Sequence, residues 1–119
     1  MLESEDVRTL TDLGFLAISR GLHVHAQAIF EGVKAARPAQ EAGFIGSALV
    51  HLARGEIAPA IAVLKGLPPT EAARVFLGIA LARHGDQAQA REILEDVLQH
   101  APETPYAALA RVTLEQLGK

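Results

Sequence analysis

The same small and large residues recur along this chain at fixed offsets. One copy of the pattern contains Leu77-Gly78, Gly85, Ala90, Leu94 and Pro102, and an earlier copy contains Leu13-Gly14, Gly21, Ala26, Phe30 and Pro38. Glycine at the turn allows the left-handed backbone that ends a helix, and a proline stops the helix that follows. The recurrence therefore predicts repeated pairs of helices.

A middle copy carries Ala48 in place of the first glycine, followed by Gly55, Ala60 and Leu64. Gly55 follows Gly21 by 34 residues, whereas Gly85 follows Gly55 by 30. The shorter spacing coincides with Pro68 and Pro69, which lack an N–H and restrict the residue before them. We therefore expect the second helix of the middle copy to end early.

This skeleton and its 34-residue period resemble the tetratricopeptide (TPR) repeat, although the usual Trp and Tyr positions are not filled. The resemblance implies an all-α fold in one domain, 1–119. We expect three TPR-like helix–turn–helix repeats at about 7–40, 41–70 and 71–102. A capping helix follows at about 104–117, and the superhelical array carries a concave groove.

Composition agrees with a helical domain. The chain has 119 residues, of which 50% are hydrophobic and 4% aromatic. The absence of cysteine excludes disulfides and thiolate zinc sites. The net charge of −3 with scattered basic residues does not favour nucleic-acid binding. No apolar run is long enough for a signal peptide or membrane insertion, so we expect a soluble, cytoplasmic protein.

Local signals predict where helices begin. Ser4 should cap the first helix, which we expect to run to about Arg20, and Thr70 should cap the fifth. Asp86 with Gln89 is close to a capping box for the sixth helix. Thr104-Pro105 predicts the cap and first residue of the seventh, and the third helix is expected at about 39–54.

The polar residues do not form a pattern typical of a catalytic or metal-binding site. His23 and His25 stand two apart, a spacing that does not place both side chains on one helical face. Ser4, Ser19 and Ser47 lie in no nucleophile motif. Solvated positions on second helices are expected for Glu31, Glu92, Glu95 and Asp96. We therefore predict no enzyme activity, no cofactor and no metal site.

The first helix of each pair is apolar on almost every side, and a helix of this kind must be covered. TPR geometry implies that positions 2, 5, 9 and 12 of each copy, counted from Val7, Glu41 and Glu71, face the groove. The residues predicted to bind a partner there are Thr11, Phe15, Ile18, Ile45, Leu49, Leu52, Val75 and Ile79. Positions 2 and 12 also place Arg8, Ala42, Ala72 and Ala82 on this face. Alternatively, tight curvature or the seventh helix buries the face without any partner.

An apolar groove differs from the Lys, Asn and Arg clamp of TPR co-chaperones that bind acidic heat-shock-protein tails. It is similar to the small TPR chaperones of bacterial type III secretion. Residues 21–28, GLHVHAQA, resemble a Gly-x-His-x-His-x-x-Ala segment of the needle-subunit chaperones. That resemblance implies a groove that holds an amphipathic helix of a secreted subunit, and a second small helical co-chaperone near the N-terminal repeat.

Two functions follow from these patterns. The first is a cytoplasmic chaperone that sequesters a hydrophobic or amphipathic helix of a secreted type III subunit by the helix-in-groove mode. The alternative is a general TPR interaction scaffold or assembly factor unrelated to secretion. One version of this alternative self-associates through the same surface.

Overall fold

The computed structural model describes residues 4–118, and every regular element in this range is an α-helix. The helices are α1 (Ser4–Ser19), α2 (His23–Ala36), α3 (Ala42–Ala53), α4 (Ile57–Lys65), α5 (Glu71–His84), α6 (Gln87–His100) and α7 (Pro105–Leu117). The all-α prediction is confirmed. None of the helices in this range is both long and apolar enough to span a membrane.

Two compact units divide between Val63 and Leu64, inside α4. In the first unit α1, α2 and α3 pack on one another. Phe30 of α2 is fully buried at its centre, beside Ala17, Ala26 and Val50. A Cβ built on Gly14 would stand only 2.6 Å from the Phe30 ring. At the Leu-Gly position of the repeat, a large side chain of the second helix therefore packs directly against the backbone of the first helix.

The second unit repeats this arrangement with different residues. A Cβ on Gly78 of α5 would stand 2.6 Å from Leu94 of α6, which is fully buried. Here α7 packs against both α5 and α6. The buried cluster contains Val75, Leu94, Val97 and Ala110. The capping helix is thus part of the core of this unit.

The three turn glycines have positive φ, at +74° for Gly21, +78° for Gly55 and +94° for Gly85. Any side chain at these positions would be strained, which explains why the turn residue of the repeat is glycine. Within the described residues no other amino acid has a positive φ.

Two of the predicted caps are confirmed. The Thr70 Oγ1 accepts a hydrogen bond of 3.2 Å from the Ala73 N–H, and the Thr104 Oγ1 accepts one of 3.3 Å from the Ala107 N–H. Pro105 follows Thr104 as the first residue of α7. The cap predicted for Ser4 falls on a side chain outside the described part of the chain.

Two local predictions are wrong. Asp86 stands at the N-cap of α6 without a side-chain capping bond, because its carboxylate pairs with His84 Nδ1 at 3.0 Å. The third helix begins at Ala42 rather than near residue 39. A turn closed by the Gln40 N–H donating to the Arg37 carbonyl occupies the residues in between.

Candidate functional site

In the first unit, the predicted groove residues of α1 stay accessible. Thr11 and Ile18 are half-buried, and Phe15 keeps 38% of its surface exposed. The Phe15 ring lies 5.1 Å from the Phe30 ring at an angle of 60°. Tilted aromatic contacts of this kind are favourable. Phe15 is thereby anchored on the core while part of its ring is free to contact a partner.

The predicted groove residues of α3 divide by burial. Leu49 is half-buried, but Ile45 and Leu52 retain only 5% and 6% of their surface. A side chain with so little exposed area belongs to the chain's own core. Ile45 and Leu52 therefore have little surface left for a partner, and the predicted contact role of all three residues stays a prediction. We call Thr11, Phe15, Ile18 and Leu49 the α1–α3 surface.

In the second unit, Val75 is fully buried, with Ala110 of α7 in the same cluster. Val75 therefore belongs to the core of this unit, where α7 packs against α5, and its predicted contact with a partner stays a prediction. Covering by the seventh helix was the alternative left open by the sequence, and it applies at this position. Ile79, one helical turn further along α5, remains half-buried.

Ile79 lines a pocket of about 340 Å³ between α5 and α7. Its lining residues are Ile79, Ala82, Arg83, Thr113, Gln116 and Leu117. Two predicted groove positions of the third copy, Ile79 and Ala82, therefore meet in one depression. We call this the α5–α7 pocket. The pocket also contains polar side chains that the groove prediction did not include, namely Arg83, Thr113 and Gln116.

A second pocket, of about 320 Å³, lies in the first unit beside α1. It is lined by Val7, Arg8, Thr11 and Asp12 of α1 together with Arg37, Gln40 and Ala42. The fold thus brings together Arg8, Thr11 and Ala42, three residues that the repeat register assigns to one face. We call it the Arg8–Arg37 pocket. The sequence pattern missed Arg37 and Gln40, because they lie in the connection after α2.

Most histidines are engaged with nearby acids. His51 Nδ1 lies 3.0 Å from the Glu56 carboxylate, and Arg54 Nε lies 3.6 Å from the same oxygen. The hydrogen bond with His51 has the largest effect and lowers the pKa of Glu56. Burial opposes it, and the charges of Arg54 and His51 lower the pKa further. These contacts tie the end of α3 to the following turn. Their role is structural.

The carboxylates of α6 are only in part solvated as predicted. Glu92 and Glu95 are exposed, but Asp96 is half-buried and forms ion pairs with Arg74 and His100. A third pocket, of about 390 Å³, is lined by Arg74, Glu92, Ile93, Glu95, Asp96 and Gln99. In the described range, no three His, Cys, Asp or Glu side chains are placed to hold a metal ion.

Exposed apolar side chains were also missed by the groove pattern. Leu13, Leu16, Leu22 and Val24 are each 47–73% exposed in the first helical pair. The signal was present in the sequence, since Leu13 and Leu16 lie off the buried face defined by Val7, Gly14 and Ala17.

No protein-family model matches the sequence, and no curated protein sequence is similar to it. Solved structures do match. The type III secretion translocator chaperone SycD of Yersinia enterocolitica, in a crystal structure of an alternative dimer, has a TM-score of 0.74 at 18% identity. This match covers 98% of the present chain and 94% of SycD, and a second SycD structure gives a TM-score of 0.73 at 17% identity over 99% and 85%.

The first TPR domain of Spaghetti (RPAP3), bound to the HSP90 peptide SRMEEVD, has a TM-score of 0.72 at 18% identity. It covers 99% of the present chain and 98% of that domain. At these identities the likeness concerns the fold. The chain has the TPR-like fold of a helical repeat array, as its sequence predicted.

Proposed function

We propose that this chain is a cytoplasmic TPR-type chaperone of type III secretion, which holds an amphipathic helix of a secreted subunit. The helix binds to the predicted groove residues. Those of the first unit include the α1–α3 surface, and in the second unit Ile79 lines the α5–α7 pocket. The protein is not an enzyme and needs no cofactor. The second helical co-chaperone implied by the resemblance remains part of this proposal, without an assigned surface.

The observation that carries the proposal is the partly exposed side chain of Phe15, with the half-buried Ile18 one turn further along α1. Phe15 is fixed by its contact with Phe30, so it loses little conformational freedom when a partner binds. Burial of each aliphatic side chain of a partner against such a surface contributes roughly 1.5–3 kcal/mol. Several such contacts exceed the cost of association for a single helix.

Two further observations support the secretion assignment. The segment 21–28 resembles the needle-subunit chaperones, and the fold resembles a type III translocator chaperone over almost the whole chain. Another similar structure is a TPR domain with a bound peptide. Both neighbours are therefore proteins whose stated role is chaperoning or peptide binding.

The test is affinity capture from the native cytoplasm, followed by mass spectrometry. Wild type is compared with a Leu49→Glu, Ile79→Glu double variant, and Leu109→Glu is the matched control, because Leu109 is exposed on α7 outside both pockets. A buried unpaired carboxylate should weaken binding by about 30-fold or more. Circular dichroism establishes that each variant is folded.

The proposal predicts a small secreted helical protein that is captured by wild type and by Leu109→Glu but lost from the double variant. Equal recovery of the secreted protein by all three forms would show that these surfaces do not bind it.

A general scaffold remains the second candidate, because five of the seven large apolar side chains that are exposed within the described residues lie in the α1–α2 pair. Self-association through this region would make the molar mass in light scattering rise with concentration. A constant monomer mass would exclude the self-associating form of this candidate.

A further inference from the structure

One side of α1 carries a row of exposed residues that contains none of the predicted groove positions. The members are three or four residues apart and are therefore neighbours on the helix surface. At about 100° of rotation per residue, they fall within an arc of about 80°. Leu13 and Leu16 are 47% and 49% exposed, and the other members are exposed as well. We call this row the α1 stripe: Glu5, Thr9, Leu13, Leu16 and Arg20.

The α1 stripe lies on a different side of α1 from the core and from the predicted groove residues. The buried side of α1 consists of Val7, Gly14 and Ala17. Phe15 is turned toward the Phe30 ring of α2. Asp12, which borders the stripe, lines the Arg8–Arg37 pocket. A partner on the α1 stripe therefore leaves Phe15 accessible.

The two ends of the α1 stripe carry opposite charges. Glu5 lies in the first turn of α1, and Arg20 directly follows the last residue of this helix, with its N–H donating to the Leu16 carbonyl at 3.1 Å. Neither the Glu5 carboxylate nor the Arg20 guanidinium forms an ion pair with another described side chain. The Thr9 Oγ1 donates to the Glu5 carbonyl at 3.0 Å, so the polar group of Thr9 is satisfied within α1. The middle of the stripe is thus largely apolar, and its ends carry charges without a partner in the described chain.

This arrangement complements itself when the helix direction is reversed. In an antiparallel pair of α1 helices, Glu5 of one copy faces Arg20 of the other. The same register places Thr9 opposite Leu16, with the two Leu13 side chains at the centre. Two-fold symmetry produces each of these contacts twice. A parallel pair would instead place Glu5 against Glu5 and Arg20 against Arg20, and like charges in contact are unfavourable.

We propose that the α1 stripe binds a second copy of this chain, as an antiparallel and two-fold symmetric pair of α1 helices. Leu13 and Leu16 supply the apolar area that becomes buried, and the two Glu5–Arg20 contacts set the direction of the helices. This goes beyond the proposed function, because it specifies a second surface that is used while Phe15 stays accessible. It applies equally to a chaperone and to a general scaffold.

Analytical ultracentrifugation of the full chain between about 10 and 500 µM tests for the pair. The weight-average mass should rise with concentration from that of one chain toward that of two. Leu13→Glu should keep the protein monomeric, because it places two carboxylates at the centre of the contact. Leu109→Glu is the matched control, since Leu109 is exposed on α7, and it should leave the rise in mass unchanged. Circular dichroism establishes that each variant is folded.

Charge reversal tests the direction of the helices. Glu5→Arg and Arg20→Glu should each weaken self-association by about tenfold, because each creates two like-charge contacts in the pair. The double variant should recover most of the wild-type affinity. A mixture of the two single variants should associate more tightly than either one alone. Arg91→Glu, at an exposed position of α6, is the matched control and should have no effect.

The double variant also separates pairing from helix stability. Glu5 and Arg20 each interact favourably with the dipole of α1, so reversing both charges destabilises this helix more than reversing one. If the single variants lost affinity through the stability of α1, the double variant would therefore be the weakest of the three. Recovery in the double variant is expected only from the antiparallel contact.

Disulfide trapping reads the register directly, because the chain has no cysteine of its own. A Thr9→Cys, Leu16→Cys variant keeps both charges. Its two thiols are about 10 Å apart along α1, too far for a bond within one chain. Peptide mapping of the oxidised dimer should show residue 9 of one copy linked to residue 16 of the other.

Two results would overturn the inference. The first is a constant monomer mass over the whole concentration range, which would leave the α1 stripe to a different protein. The second is a dimer whose disulfides join 9 to 9 and 16 to 16, with charge variants that behave like Arg91→Glu. Neither result changes the capture of a secreted helix by wild type, so failure of this inference is distinguishable from failure of the proposed function.

Discussion

The contact between Gly46 and Phe30 gives a sharp prediction about the core of the first unit. A Cβ on Gly46 of α3 would overlap three atoms of the Phe30 ring, and Phe30 is fully buried. Gly46→Ala should therefore force the ring or the helix to move. Overpacking of this kind costs about 1–3 kcal/mol, and we expect the upper end because the overlap is with a rigid ring.

Helix propensity acts in the opposite direction. Alanine is better than glycine inside a helix by about 1 kcal/mol, so the net loss for Gly46→Ala should be about 2 kcal/mol. Gly32→Ala in α2 isolates the propensity effect, because nothing lies within 4 Å of a Cβ placed there. This control should gain about 1 kcal/mol.

Urea unfolding followed by circular dichroism measures both variants. In the Gly46→Ala background, replacing Phe30 with Leu should cost less than it does in wild type, since the two positions share one space. A Gly46→Ala protein as stable as Gly32→Ala would refute the reasoning, because it would mean that the Phe30 ring does not occupy this site.

Three further predictions use the same unfolding assay. Thr70→Ala and Thr104→Ala should each lose about 1 kcal/mol, because each removes the side-chain acceptor of a helix N-cap. Ser47→Ala should gain about 1 kcal/mol, because the Ser47 Oγ is buried without a hydrogen-bond partner. Glu56→Gln should be less stable than wild type near neutral pH, with the difference shrinking as pH falls. The pKa of Glu56 is lowered from 4.5 by His51, so this contribution is complete above 4.5 and is lost as pH drops through the folded-state pKa.

Matched control variants test the physical reason given for each of these stability predictions. Asp86→Ala removes a side chain that stands at an N-cap without capping, and it should cost less than Thr70→Ala. Glu92→Gln removes a carboxylate at an exposed position of α6 and is the control for the loss of a surface charge. A large loss for Ser47→Ala would mean that its hydroxyl is satisfied, and a constant deficit for Glu56→Gln down to strongly acidic pH would contradict the ionic account.

Features set by a few neighbouring residues could be predicted from the sequence. The turn glycines, the Thr70 cap and the Thr104-Pro105 helix start depend on local backbone geometry, and all of them are present. The capping bond predicted for Asp86 is absent although it is also a local feature, because His84 competes for the Asp86 carboxylate. Sequence rules for helix caps consider one hydrogen bond at a time, so they do not account for a second residue that competes for the same carboxylate.

The site was harder to predict because its properties depend on packing between distant segments. Val75 occupies an apolar groove position by its register, but the arrival of α7 makes it core. Arg37 joins Arg8 only when the connection after α2 folds beside α1. The repeat register predicts which helix face meets a partner, whereas the burial of each residue on that face is set by the fold.

Site-specific photo-crosslinking tests the central claim most directly. A benzoylphenylalanine probe replaces Phe15 in one protein, Leu49 in a second and Leu109 in a third, and crosslinked peptides are identified by mass spectrometry from native cytoplasm. The account predicts that probes at Phe15 and Leu49 capture one amphipathic helix of the same small secreted protein, and that the probe at Leu109 does not. Capture of that helix from Leu109 alone would contradict the account.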